Sequence, residues 1–138
     1  MAGYSGTPLP KKLGVKEGHC VALIGAPRDF DRTLGALPAE VDVRRDLRRR
    51  DLDVIVMFCP DVKTLRSKLD GAVSKLSAAG GLWIGWPKKS SGVETDLTES
   101  IVRRMGLDAG LVDNKICAID DTWSGLRFVY RVKDRAKS

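Results

Sequence analysis

The sequence predicts an open α/β sheet of mostly parallel strands with helices on both faces. Three observations carry that expectation. Short apolar runs without polar alternation recur at 21–24, 54–59, 82–86 and 116–119, the pattern of strands buried on both faces. Between the second and third runs, Leu65, Leu69, Val73 (or Ala72) and Leu76 fall at spacings of three and four, which sets them on one face of a helix. Strand, helix, strand, helix, strand is the order that right-handed crossovers build.

The elements follow in chain order. Residues 1–18 read as an irregular N-terminal arm, because Pro8 and Pro10 push their predecessors toward extended backbone. The run at 21–24 stops at Gly25-Ala26-Pro27. A polar crossover follows, with a short helix around 30–34, and 41–43 is a weak second strand. The connection from there to 54–59 is about ten residues, shorter than a parallel crossover needs. Either that strand is an edge element or the crossover is an irregular loop. Pro60 stops the strongest strand, and Asp61 caps a helix running from Val62 to about Ala78, ended by Ala79-Gly80-Gly81. Pro87 closes the tryptophan strand. Asp96 with Glu99 resembles a capping box for a helix whose buried face is Leu97, Ile101, Val102 and Met105, ended by Gly106. Leu126, Phe128, Tyr130 and Val132 alternate with Arg127, Val129 and Arg131, a half-solvated strand returning antiparallel to 116–119. The tail from Lys133 is expected to fray.

The 138 residues suit a single domain. Hydrophobic residues make up 43% and charged residues 30%, which excludes a disordered chain. No run approaches the roughly 20 apolar residues of a membrane span, and Met1 to Gly6 show no secretory leader, so a cytoplasmic protein is expected. The net charge of +6 permits a nucleic-acid or acidic partner without requiring one. Cys20, Cys59 and Cys117 are odd in number, widely spaced and set in apolar runs. They read as reduced, buried small hydrophobes rather than metal ligands. His19 is the one histidine, read as a surface residue beside the first strand.

Ligands of an open parallel sheet sit beyond the carboxyl ends of its strands. That rule gathers Gly25 and Pro27 from the first strand, Trp86, Lys88 and Lys89 from the tryptophan strand, and Asp120, Asp121, Thr122 and Trp123 from the turn after 116–119. Lys88 and Lys89 would hold an anion, or else decorate a solvated loop. Asp120 and Asp121 are an acid pair, or else a turn whose aspartate caps backbone amides. Arg44, Arg45, Arg48, Arg49 and Arg50 are a nucleic-acid candidate, set against the simpler reading of a solvated face interrupted by Asp46.

The opening Gly3-Tyr4-Ser5-Gly6-Thr7-Pro8-Leu9-Pro10-Lys11-Lys12-Leu13-Gly14 and the later Asp120-Asp121-Thr122-Trp123-Ser124-Gly125-Leu126 resemble a family of small bacterial proteins known as a domain of unknown function. The resemblance implies a bacterial cytosolic protein and no particular activity. Asp53-Val54-Ile55-Val56 and Ala79-Gly80-Gly81-Leu82-Trp83-Ile84 are similar to the fourth and fifth strands of the class I methyltransferase sheet, which implies a three-layer Rossmann-like fold with an antiparallel C-terminal edge strand. That family has a glycine-rich turn after its first strand for the methionine part of S-adenosylmethionine, and an acid ending its second strand for the ribose. This chain has one glycine and a proline in the turn, and Arg44-Arg45 at the second position. The expectation drawn from these departures is a non-catalytic, methyltransferase-like binding module that has lost S-adenosylmethionine. It would take a small anionic ligand or a protein partner. The alternative is a minimal S-adenosylmethionine-dependent transferase or other small enzyme acting at the carboxyl edge, and a third reading is nucleic-acid binding through the arginine run.

Overall fold

Continuous apolar runs make the centre of the sheet. β1 (Cys20–Ile24) and β3 (Leu52–Phe58) are buried almost throughout, because each of their sides faces another layer of protein rather than water. The computed structural model describes residues 7–135. Its single six-stranded sheet has the order β2-β1-β3-β4-β6-β5, with β2 at Asp42–Arg44, β4 at Leu76–Pro87, β5 at Leu111–Ala118 and β6 at Trp123–Tyr130. The first four of these run parallel. β6 is antiparallel to both β4 and β5, so β5 points the same way as the parallel strands and forms the far edge.

Two apolar layers flank the sheet. α3 (Val62–Lys75) and α4 (Glu99–Asp108) send Leu65, Leu69, Ala72 and Val102 onto Ile55, Met57, Leu82, Ile84 and Phe128. On the other face, α1 (Leu9–Leu13) and α2 (Phe30–Leu34) send Leu13, Phe30 and Leu34 onto Val21, Leu23, Val54, Val56, Phe58 and Trp83. This is the three-layer, mostly parallel α/β architecture that the sequence predicts.

Five local expectations are corrected. The arm at 1–18 is not irregular in its described part. Pro8 is the N-cap of α1 and Pro10 sits in its first turn, where a missing N–H leaves no bond unmade. Leu13 is fully buried, and the Trp83 indole Nε1–H donates to its carbonyl at 3.0 Å. At the other end, α5 (Val132–Arg135) forms a helical turn where fraying was expected. Residues 1–6 of the arm and 136–138 of the tail lie outside the described residues.

The Gly80-Gly81 pair does not end α3. The helix stops at Lys75 and β4 begins at once, with the Tyr130 hydroxyl donating to the Val73 carbonyl at 2.6 Å. A Cβ at Gly80 would stand 2.9 Å from the carbonyl oxygens of both Leu52 and Asp53, at the register shift between Leu52 and Val54. The glycine admits a close backbone. Asp96 does not cap α4, since Thr98 is the N-cap and its Oγ1 accepts from the Ile101 amide at 3.2 Å. Gly106 lies inside α4, under the Phe128 ring. Finally, both readings of the short β2–β3 connection hold. β2 is an edge strand, and the crossover is a loop that packs Leu47 against the α3-side core.

Candidate functional site

The carboxyl edge is built from four connections. β1 ends in Gly25, exposed and at φ +69°, where its backbone passes the end of β3. A Cβ on Gly25 would stand 3.0 Å from the Phe58 carbonyl oxygen. Pro27 follows, and its carbonyl accepts from the Phe30 amide at 3.0 Å, so the proline opens the turn into α2. β3 ends in Phe58 and Cys59. The Phe58 ring lies edge-on between Phe30, with centroids 4.9 Å apart, and Trp123, with centroids 5.1 Å apart. Trp123 is half-buried, so this aromatic row presents a partly open ring at the edge.

β6 runs antiparallel, so its first residue lies level with the last of β4, as Trp123 pairs with Pro87. The Lys88 amide donates to the Thr122 carbonyl at 2.8 Å. Lys88, Lys89, Asp121, Thr122 and Trp123 therefore share one end of the sheet with Gly25, as the topology argument from the sequence requires. Within that group the roles differ. Asp120 Oδ1 accepts from the amides of Thr122 and Trp123, both at 2.8 Å, which is the turn chemistry of an aspartate. Asp121 is exposed. Trp86 is 5% exposed and packs into the core on the α3 side, so its ring is a core residue.

Cys59 ends the central strand but offers no nucleophile. It is fully buried, and burial pushes its thiol up to about 12, which keeps it neutral. All three cysteines are free, Cys20 and Cys59 buried and Cys117 partly so. Among the described residues no cluster of His, Cys, Asp or Glu is placed to hold a metal ion.

The arginine run is matched by acids. Asp42 pairs with Arg44 at 2.9 Å and Arg49 at 3.3 Å, Asp31 with Arg45 at 2.7 Å, and Asp46 with Arg48 at 3.9 Å. Arg50 is the member of the run outside these pairs. The local field is thus far weaker than the count of arginines implies.

Two features of the edge escaped the sequence reading. Asp46 lies two residues past Arg44, which pairs with Ala22, so it emerges where the chain leaves β2, beside the end of β1. Its half-exposed carboxylate also accepts from the Arg48 amide at 3.1 Å. The second is a latch between two connections. The Thr95 hydroxyl donates to the Pro60 carbonyl at 2.7 Å, and Asp96 Oδ1 accepts from the Val62 amide at 2.8 Å. Together they tie the loop before α4 to the start of α3. Asp61 completes that start. Its carboxyl is held below the usual carboxylate range by hydrogen bonding to the side chain and amide of Thr64.

No family model matches the chain, and no curated protein matches it in sequence. Solved structures do. An S-adenosylmethionine-dependent methyltransferase from Aquifex aeolicus superposes with a TM-score of 0.60 at 16% identity, covering 86% of this chain and 85% of that one. DhpI, solved as a complex with SAH, gives 0.62 at 8% identity, covering 91% and 83%. Aeropyrum pernix fibrillarin, solved with natively bound S-adenosyl-L-methionine, gives 0.55 at 14%, covering 92% and 70%. The fold is that of the S-adenosylmethionine-dependent methyltransferases.

These neighbours overturn the expectation of a non-catalytic module, and with it the expectation of no cofactor. They favour the alternative, a minimal S-adenosylmethionine-dependent transferase. By glycine count the turn after β1 falls short of that family, and Pro27 removes an amide donor. In the structure Gly25 alone takes the left-handed backbone beside Phe58, and Pro27 serves the α2 turn. β2 ends in Arg44, and Asp46 lies two residues beyond it. No match carries the resemblance to the small bacterial family.

Proposed function

We propose that this chain is an S-adenosylmethionine-dependent methyltransferase, with the cofactor lying across the carboxyl ends of β1 and β3. The observation that carries the reading is Gly25. An exposed glycine at positive φ, at the end of a central strand, where a Cβ would stand 3.0 Å from the Phe58 carbonyl oxygen, is a cradle in which a ligand approaches bare backbone. Bound there, S-adenosylmethionine would supply a methyl group activated by its sulfonium charge. Asp46 is the acid suited to the ribose hydroxyls, in the role the class I resemblance implies. Trp123 offers an aromatic wall fixed by Phe58. Lys88, Lys89, Asp121 and Thr122 stand on the side left for the methyl acceptor, and the two lysines suit an acceptor that carries negative charge.

The motif resemblance and the three free cysteines support a bacterial cytosolic protein. Among the described residues no helix is long and apolar enough to cross a membrane. Calorimetric titration of the purified chain with S-adenosylhomocysteine tests the function. Binding, with a melting temperature raised by several degrees at saturation, is the expected result. A flat titration with an unmoved melting temperature would overturn the reading.

A further inference from the structure

Away from the carboxyl edge, the half-buried guanidinium of Arg127 has no acidic counterpart among the described residues. Arg127 lies on the α1 side of β6, paired across the sheet with Trp83 on β4 and with Lys115 on β5. Its head lies flat over Gly81, where a Cβ would come within 2.6 Å of Cζ and Nη2. It is partly buried, yet no described residue gives it a hydrogen bond or an ion pair. Burial, followed by repulsion from Arg135, pulls its pKa below the usual arginine value.

The neighbours deepen the imbalance. Lys115 stands directly opposite on the adjoining strand, and like charges in that position destabilise a sheet. The Lys115 ammonium donates to the Lys12 carbonyl at 3.1 Å, and the Lys12 ammonium to the Ala118 carbonyl at 3.4 Å. Both lysines are thus held near this face by neutral acceptors rather than by acids. Arg135 is positioned from α5 by its Nε–H, which donates to the Tyr130 carbonyl at 2.9 Å. In the arginine run each of four guanidiniums meets a carboxylate, whereas among the described residues the Arg127 guanidinium over Gly81 meets none and has Lys115 opposite it on β5.

We propose that Arg127, with Lys115 across from it on β5, forms an anion subsite that takes a phosphate group. A guanidinium fork matches phosphate oxygens two at a time, and a bound phosphate would offset both the desolvation of Arg127 and the repulsion around it. Arg127 and Trp123 are four residues apart on the same face of β6, about 13 Å along the strand. A phosphate held here is therefore outside the methyl-transfer site. It belongs either to a free phosphate compound or to the backbone of an oligonucleotide that also reaches the carboxyl edge. This inference does not rest on the proposed methyl transfer.

Two measurements on the full chain test it, each with Arg127→Gln as the comparison. In the first, thermal unfolding is followed in phosphate and in chloride at equal ionic strength. In the second, binding of a labelled single-stranded oligonucleotide is followed by anisotropy over a salt series. The parent should melt several degrees higher in phosphate, with most of that gain lost in Arg127→Gln. General salting effects are common to both proteins and cancel. Oligonucleotide binding whose log–log salt slope falls by about one in the variant assigns the phosphate to a nucleic-acid backbone. A phosphate gain without oligonucleotide binding assigns it to a free compound. Equal behaviour of parent and variant in both measurements overturns the subsite. Should Arg127→Gln fail to fold, the exposed Lys115→Gln carries the same comparison.

Discussion

The backbone of Gly25 passes so close to Phe58 that a Cβ on residue 25 would stand 3.0 Å from the Phe58 carbonyl oxygen. The same glycine sits at φ +69°, a region that costs a β-branched residue of order 1–3 kcal/mol. Gly25→Val is therefore expected to melt lower than the parent and to lose S-adenosylhomocysteine binding in calorimetry at a temperature where it remains folded. Unchanged affinity in a folded variant would remove this turn from the site.

Gly106 and Phe128 make a second close pair, buried between α4 and β6. A Cβ at position 106 would come within 2.5 Å of Cδ2 and Cζ of the Phe128 ring, which is itself fully buried. Overpacking of this kind costs about 1–3 kcal/mol, while alanine in place of glycine inside a helix returns up to about 1 kcal/mol. Gly106→Ala should give a net loss, read as a lower urea midpoint at unchanged slope. A midpoint at or above that of the parent would mean that the ring moves aside freely.

These glycines mark the boundary of what the sequence discloses. Apolar runs disclosed the strands, because a strand buried on both faces leaves a continuous signature in one dimension. The carboxyl-edge placement of Lys88, Thr122 and Trp123 followed from strand order alone. Glycine roles did not follow, because Gly25, Gly80 and Gly106 answer to Phe58, Leu52 and Phe128, partners distant in sequence. The place of Asp46 beside the end of β1 is hidden for a similar reason. Asp46 is recognisable only once Arg44 is seen paired with Ala22. In the arginine run, positive residues were easy to count, but Asp31 and Asp42, which neutralise three of them, lie outside the run.

The cap of α3 gives a pH prediction. Hydrogen bonding to the Thr64 side chain and amide holds the Asp61 carboxyl below its ordinary range. A carboxyl depressed in the folded state adds stability above its unfolded value, and that contribution is lost as pH falls through the folded value. Asn caps helices about as well as Asp, so Asp61→Asn removes the charge and keeps the cap. The parent should melt above Asp61→Asn at neutral pH, and the gap should close as pH is lowered from about 5 to about 2. A gap that is constant with pH would show that the charge of Asp61 contributes nothing to folding.

Asp96 separates two accounts of the same segment. A capping residue of α4 would protect the first turn of that helix, but its Oδ1 accepts from the Val62 amide of α3, and Thr98 caps α4. Asp96→Ala removes a charged acceptor from a helix start, a change that costs about 0.5–2 kcal/mol. Hydrogen exchange should then quicken at Val62 and its neighbours in α3 while the Ile101 amide keeps its protection. Thr98→Ala should do the reverse. The latch also fixes the connection after β3, so Asp96→Ala is expected to weaken S-adenosylhomocysteine binding severalfold where Thr98→Ala leaves it unchanged. Faster exchange at Ile101 in Asp96→Ala would restore the capping-box account and detach the latch from the site.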